Sequence, residues 1–265
     1  MGKVGRVACI VTPMLLTVAS LICFLVVALA QVSPNGHTTL LQHNLYFFKA
    51  DTSNITLRPQ SLPNSPPDSA LSIEVLSALQ SVAKSGHLQD FYTVGLFGYC
   101  EGEIDKETRR ETVTNCSAWK MPFYFDPVAV WQLENTNVQE ILGERLTMGM
   151  KVYRKTVESM HYTFVAVLAL SVLECVMGIF TVRSRLYSFC TAFPSLFKAM
   201  LSIAAAAVAT VTYVMLTGVF KSVLRPYNIE ASLGVSLFSV LWLAVAWSIA
   251  SSFFWSLSAC CCSGK

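Results

Sequence analysis

The sequence carries few charges for its length. Lys, Arg, Asp and Glu make up 13% of its 265 residues, about half of the roughly 25% that is usual in a soluble domain. These charges are also unevenly placed. Residues 31–160 hold 11 basic and 14 acidic side chains, a net charge of −3, whereas the remainder holds 8 and 2, a net charge of +6. The chain is therefore not an ordinary soluble domain, and its overall charge of +3 does not indicate a nucleic-acid partner.

The sequence also lacks the motifs of common catalytic chemistry. Neither Gly-x-Ser-x-Gly nor His-Glu-x-x-His occurs, so no nucleophile elbow or zinc-protease helix is indicated. The four histidines are scattered, at His37, His43, His87 and His161. We therefore expect neither enzymatic activity nor a cofactor.

Long apolar runs dominate what remains. They cover residues 7–30, 161–182, 195–220 and 233–257, and each exceeds the ~20 helical residues that cross the hydrocarbon core. Backbone polar groups in lipid must be paired within their own segment, so we predict four transmembrane helices. Residues 7–30 also resemble a signal peptide cleaved before Gln31. Their uncharged core is longer than the ~7–15 residues of a signal core, so we expect the first helix to be retained.

Basic residues in the short segments predict that both termini are cytosolic. That orientation places Lys3, Arg6, Arg183, Arg185, Lys198 and Lys265 inside, against Lys221 and Arg225 in the short outer loop. The predicted segments outside the spans are a cytosolic N-terminus at 1–6, an extracellular loop at 31–160, a cytosolic turn at 183–194, an extracellular loop at 221–232 and a cytosolic tail at 258–265. We expect a multi-pass protein of the plasma membrane.

The outer loop at 31–160 is the only sizeable region outside the predicted spans. Four prolines at 58–69 predict an extended connector. Apolar positions recur at helical spacing at 71–83 and 135–148, while 90–101 and 113–124 are rich in residues typical of strands. We therefore predict a small α+β cap.

Two features predict covalent modification. Asn54-Ile55-Thr56 is an N-glycosylation acceptor in the outer loop. Cys260, Cys261 and Cys262 directly follow the last span, a position typical of S-palmitoylation, with unmodified thiols as the alternative.

Only two of the nine cysteines, Cys100 and Cys116, lie in the outer loop. A single pair in an oxidising compartment allows one intramolecular disulfide. It would close a 15-residue interval and stabilise the fold by about 3 kcal/mol. A metal site would need more ligands, and no histidine lies between Asp90 and Tyr124. We therefore predict a Cys100–Cys116 disulfide.

The residues before this pair form a motif. It reads Gly95-Leu96-Phe97-Gly98-Tyr99-Cys100, then fifteen residues, then Cys116. The motif resembles the claudin signature, and more closely its fungal form, in which Gly, two apolar residues, Gly, any residue and Cys precede a later Cys. The fungal form marks a mating-induced family of low-affinity calcium-uptake regulators and membrane-fusion proteins. Eisosome (plasma-membrane furrow) tetraspans and PalI-like pH-signalling proteins share a similar cysteine pair.

The resemblance implies a claudin-like fold and a role. The fold would be a left-handed bundle of four transmembrane helices with a β-hairpin held by Cys100 and Cys116. The role would be to regulate calcium influx and membrane fusion during fungal mating or polarised growth, through protein contacts of the extracellular cap. Expected partners are membrane lipids and other membrane proteins, such as a calcium channel or a second copy. The alternatives are an eisosome-type scaffold for membrane domains and the cell wall, or an auxiliary subunit of a PalI-like complex.

Carboxylates alternate along the chain after Cys100. In an extended strand, Glu101, Glu103, Asp105 and Glu107 would share one face. Such a stripe would bind Ca²⁺ weakly through its oxygens. The alternative, which we favour, is a solvated hairpin tip whose charge is largely neutralised by Lys106, Arg109 and Arg110.

Glu174 is the single acidic residue in a predicted span. A charge at such depth costs at least about 2.5 kcal/mol, so the residue marks a polar contact or a functional site. With no Lys or Arg assigned to the same depth, we expect a protonated carboxyl that donates to a hydroxyl of a neighbouring helix. The alternatives are an ion path and docking on a channel. Small residues at four-residue spacing predict close helix packing, at Ala244, Ser248 and Ser252 and at Ser202, Ala206 and Thr210.

Overall fold

The computed structural model describes residues 3–33, 44–55, 80–82, 88–105, 107–131, 143–181, 185–224 and 228–261. Several predictions therefore lie outside the described residues. These are the connector at 58–69, most of the helix at 71–83, the segment 135–142, and Lys106, Arg183, Arg225, Cys262 and Lys265.

The described elements alternate between long helices and short strands. In chain order they are α1 (Lys3–Leu29), β1 (Phe48–Asp51), β2 (Phe91–Val94), β3 (Tyr99–Ile104), β4 (Glu111–Cys116), α2 (Pro127–Val130), α3 (Gly143–Thr181), α4 (Arg185–Val223), β5 (Glu230–Leu233) and α5 (Val235–Cys261). Helices α1, α3, α4 and α5 each contain an apolar stretch long enough to cross a membrane, at Ile10–Leu29, Gly149–Thr181, Cys190–Ser222 and Val235–Ser258. The chain is thus a four-span membrane protein.

Two of these helices are much longer than the predicted spans. Helices α3 and α4 have 39 residues each, a length of about 58 Å, whereas the hydrocarbon core is only about 30 Å thick. The turn predicted at 183–194 is therefore wrong for 185–194, which forms the first turns of α4. Hydropathy measures the part of a helix that fits lipid, while the helix itself continues until a cap or a breaker stops it.

The chain divides into two compact units. The first, here called the helical unit, comprises Met1–Ala28, Ser159–Thr210 and Leu237–Lys265. The second, here called the sheet unit, comprises Leu29–Glu158 and Val211–Ser236. Each unit is built from segments that are distant in sequence, so neither could be recognised as a continuous stretch of the chain.

The interior of the helical unit is packed with small and aromatic residues. The Phe24 ring of α1 meets the Phe164 ring of α3 edge to face, with centroids 5.5 Å apart. The Ser20 hydroxyl of α1 donates to the Ala244 carbonyl of α5 at 2.9 Å, which requires a close approach of the two backbones. The predicted small residues Ala244, Ser248, Ser252, Ser202 and Ala206 are buried, and Thr210 is half-buried. The left-handed twist of the bundle stays a prediction.

The sheet unit contains one antiparallel sheet with the strand order β4-β3-β2-β1-β5. Strand β1 pairs with β2 on one side and β5 on the other, so that Phe48 faces both Val94 and Leu233. Neither β1 nor β5 was predicted. The strand predicted at 90–101 is instead two strands, β2 and β3, and the strand predicted at 113–124 ends at Cys116.

Aromatic side chains form the core of the sheet unit. Phe47 stacks on Tyr213 of α4, with centroids 4.7 Å apart, and Phe48 meets Phe220 of α4 at 4.8 Å. Tyr213 and Phe220 are two helical turns apart and therefore share one face of α4. The rings of Tyr92, Phe125 and Trp131 fill the remaining interior.

Candidate functional site

The predicted motif forms the connection between β2 and β3. Residues 95–98 make a tight turn in which the Gly95 N–H donates to the Gly98 carbonyl at 2.9 Å. A Cβ on Gly95 would lie 2.5 Å from Gln31 Cβ, and one on Gly98 would lie 2.7 Å from the Gln31 carbonyl oxygen. Because such contacts are too short for carbon, both positions require glycine.

Two residues outside the motif hold this turn in place. Gln31, buried directly after α1, donates to the Leu45 carbonyl at 2.7 Å and accepts from the Thr93 hydroxyl at 2.8 Å. The Tyr213 hydroxyl of α4 donates to the Gly95 carbonyl at 2.6 Å. Sequence reasoning missed both residues, although a lone glutamine immediately after an apolar run was a visible signal.

Cys100 and Cys116 form the predicted disulfide. They are directly paired across β3 and β4, with their Cα atoms 4.0 Å apart. Both are buried, as are Leu96 and Phe97 of the motif. The bridge therefore joins the edge strand β4 to β3 immediately beside the glycine turn, and the β-hairpin implied by the family resemblance is confirmed.

The carboxylates after Cys100 do not all lie on one strand, as the less favoured Ca²⁺-binding stripe would require. Strand β3 ends at Ile104, and the Asp105 carboxylate accepts from the Thr108 hydroxyl at 2.7 Å and the Glu107 N–H at 2.9 Å. The hydrogen bond from Thr108 has the largest effect on the pKa of Asp105 and lowers it, and the bond from Glu107 lowers it further. In the part of the chain that the structure describes, no group of three or more His, Cys, Asp or Glu side chains is arranged to hold a metal ion.

Two phenols face one of these carboxylates. Burial raises the pKa of Tyr92 to about 12, and the nearby Glu101 carboxylate contributes in the same direction. The pKa of Tyr99 is also raised, by burial and then by Glu101. Both side chains are therefore neutral at physiological pH and act as packing and hydrogen-bonding groups.

One ion pair ties the two sides of the sheet together. Lys49 of β1 reaches Glu111 of β4, with Nζ and Oε1 2.5 Å apart. Its ammonium lies 4.9 Å from the centroid of the Phe91 ring. A Cβ on Gly102 would come within 2.5 Å of that ring, so the glycine leaves the space that the ring occupies.

The helical unit contains a second polar site, here called the polar cluster, centred on Glu174. Lys198 of α4 faces Glu174 of α3, with Nζ and Oε2 2.5 Å apart, and both side chains are fully buried. The other carboxylate oxygen, Oε1, accepts at 2.9 Å from three hydroxyls. They belong to Thr17, Ser195 and Ser251, so α1, α3, α4 and α5 each contribute to the polar cluster.

Two hydroxyls of the polar cluster lie within hydrogen-bonding distance of each other and of the same two acceptors. The Thr17 and Ser251 hydroxyls lie 2.7 Å apart, and the Pro13 carbonyl lies 2.9 Å from the first and 3.2 Å from the second. The two hydroxyls can therefore share Glu174 and Pro13 as acceptors. Such sharing lowers the cost of keeping the carboxylate away from water.

The polar cluster corrects two predictions. Lys198 does not serve as a cytosolic orientation signal, because it is buried against Glu174. Glu174 does have a basic residue at its depth, contrary to the expectation from the sequence, because it faces Lys198. The spans of the structure, unlike the predicted ones, bring the two residues to one depth. Glu174 lies seven residues before the end of the span Gly149–Thr181, and Lys198 lies eight residues after the start of Cys190–Ser222. Their depths therefore match.

The structure describes three of the predicted modification sites. Asn54 is exposed in the turn after β1. Cys260 and Cys261 are the last two residues of α5. Glycosylation and palmitoylation stay predictions.

Comparison with known proteins places this architecture in a family. The model of the SUR7/PalI family matches residues 9–254, which include the first three spans, most of the fourth, the motif and the polar cluster. The chain belongs to the SUR7/PalI family.

One curated protein of the SUR7 family is distantly similar to this chain. The SUR7 family protein pun1 of Schizosaccharomyces pombe is 23% identical over 180 residues, which cover 65% of this chain and 60% of that relative. The chain thus spans about 60% of the length of the curated relative it matches. No solved structure matches the chain.

Proposed function

We propose that this SUR7/PalI protein is a non-enzymatic scaffold of the plasma membrane, which organises membrane domains and the cell wall through contacts of an extracellular sheet. The observation that carries the proposal is the hairpin of β3 and β4, closed by Cys100–Cys116. A disulfide of this kind is typical of an oxidising compartment. In this proposal both termini are cytosolic and the partners are other membrane proteins.

The exposed end of that hairpin is the surface we propose for protein contacts. It carries Glu103, Glu107, Arg109 and Arg110, all exposed. Mixed charges at a rim favour specific encounters over tight nonspecific adhesion. Strand β4 is also an edge of the sheet, and an edge strand offers backbone donors and acceptors to a partner.

The polar cluster favours a contact role over an ion path. The Glu174 carboxylate faces the Lys198 ammonium, and its other oxygen is occupied by hydroxyls. An ion path needs carboxylates that permeating ions can reach and leave. A buried pair of opposite charges instead holds helices in register.

The test is the distribution of the tagged full-length protein in the fungal plasma membrane. Reversing charge at the hairpin with Glu103→Lys and Arg110→Glu should disperse the protein from patches while leaving its amount unchanged. Glu158→Lys, an exposed change on α3, is the matched control and should stay in patches. Unchanged patches in the hairpin variant would contradict the proposal.

A second candidate is regulation of calcium influx and membrane fusion during mating or polarised growth. It is supported by the motif from Gly95 to Cys100 with Cys116, which resembles the fungal mating-induced family. A third, membership of a pH-signalling complex, is supported by the PalI part of the family match. Deleting the gene and scoring calcium uptake, cell fusion and furrow organisation together separates these roles from the scaffold. Lost furrows with normal uptake and fusion would favour the scaffold.

A further inference from the structure

Trp119 is an unusual side chain on the sheet unit. With 54% of its surface exposed, it is the one large apolar side chain among the described residues that is exposed without lying on α1, α3, α4 or α5. On those helices, lipid accounts for the exposed apolar surface. Trp119 lies instead in the loop after β4, next to the exposed Lys120.

The position of Trp119 is fixed by the glycine turn. Its ring lies 5.3 Å from the buried Phe97 ring, centroid to centroid, and the Lys120 N–H donates to the Phe97 carbonyl at 3.1 Å. The half-exposed indole therefore packs against Phe97 of the glycine turn at residues 95–98. The loop and the turn form one local surface.

The glycine turn at residues 95–98 contacts residues that belong to two spans or follow them closely. Gln31, which follows the span Ile10–Leu29 by two residues, contacts the turn at Gly95 and Gly98. Tyr213, which is inside the span Cys190–Ser222, donates to the Gly95 carbonyl. Since Gln31 follows the first span by only two residues, the glycine turn is close to the end of that span.

We propose that Trp119 and Lys120 bind the headgroup region of the bilayer leaflet on the side of the sheet. The indole is apolar over most of its surface but carries one N–H, a combination that favours the boundary between headgroups and acyl chains. The exposed Lys120 ammonium complements the lipid phosphate. By contrast, the hairpin end of the sheet exposes charged side chains, which face water.

The experiment uses the full-length protein in phosphatidylcholine vesicles whose acyl chains are brominated at a shallow or a deep position. The emission of Trp119 is obtained by subtracting the spectrum of Trp119→Phe from that of the unchanged protein. Shallow bromines should quench this emission more than deep ones, and Lys120→Ala should reduce the shallow quenching. Trp131, which is 1% exposed in the sheet core, is isolated in the same way through Trp131→Phe and should not be quenched.

Three results would overturn the proposal. Quenching of Trp119 by acrylamide in the aqueous phase, with no effect of brominated lipid, would place the indole in water. Protection from both quenchers would place it in a contact with another protein or a second copy. Deep quenching stronger than shallow would place it inside the hydrocarbon. Melting curves of Trp119→Phe that match the unchanged protein establish that the subtraction compares folded molecules.

Discussion

Each of the two units of this protein is stabilised internally by different interactions. The helical unit centres on a buried Glu174–Lys198 ion pair with hydroxyls around it, whereas the sheet unit centres on stacked aromatic rings and a disulfide. Lipid tails are as apolar as leucine, so apolar burial gives helices in a bilayer little reason to associate. An open sheet edge, in contrast, must lie outside the hydrocarbon, where burying aromatic surface contributes about 25 cal/mol per Å².

The largest expected effect is on the polar cluster. Lys198→Met leaves the Glu174 carboxylate buried without its counter-charge and should cost about 3–5 kcal/mol. The loss is measured as a lower melting temperature of the purified protein in detergent and a lower amount in the cell.

The matched control is the double variant Glu174→Gln with Lys198→Met. The amide oxygen of Gln can still accept from the hydroxyls, and no charge remains, so most of the stability should return. A single Lys198→Met variant as stable as the unchanged protein would show that the ion pair does not hold the helical unit together.

The second effect is on the disulfide and should be confined to the sheet unit. Replacing both Cys100 and Cys116 by Ser should cost about 2–4 kcal/mol, because the unfolded chain is no longer cross-linked. Proteolysis within 88–131 should accelerate while the helical circular dichroism persists. A reducing agent should reproduce this effect in the unchanged protein and have none on the double variant. Loss of helical signal in step with the sheet would show that the two units do not differ in this way.

A smaller effect on stability is expected from replacing single glycines, and it should differ between the glycine turn and a span. Gly98→Ala would bring a Cβ within 2.7 Å of the Gln31 carbonyl oxygen and of Ser117 Oγ, and should cost about 1–3 kcal/mol. Gly218→Ala in α4 meets nothing within 4 Å and should stabilise by up to about 1 kcal/mol. Equal melting temperatures for the two variants would argue against the tight turn.

Much of the fold could be predicted because its signals are local. Each apolar run, the glycines at 95 and 98 and the single outer cysteine pair carry their information in neighbouring residues. Strands β1 and β5 were missed because each has only four residues and is stabilised by partners far away in sequence. Lys198 was misplaced for a related reason: a helix that continues past its apolar part moves the apparent membrane boundary.

The smallest effect appears only in alkali and belongs to the sheet unit. Tyrosine in an unfolded chain loses its proton near pH 10, whereas burial raises the pKa of Tyr92 to about 12. The stability that comes from keeping Tyr92 neutral is complete below pH 10 and is lost as the pH rises towards 12. Phenolate absorbance of the protein, compared with that of Tyr92→Phe, should show this late titration. A Tyr92 signal complete by pH 10 would contradict its burial.

The buried ion pair also constrains how the chain enters the bilayer during synthesis. Helices α3 and α4 are separated by only three residues, 182–184, and each alone would carry an uncompensated charge into lipid, at a cost of about 2.5–3.5 kcal/mol on insertion scales. Entering together as a hairpin, Glu174 and Lys198 would already neutralise each other. We therefore expect the second and third spans to insert into the membrane together, and each to insert less efficiently without the other.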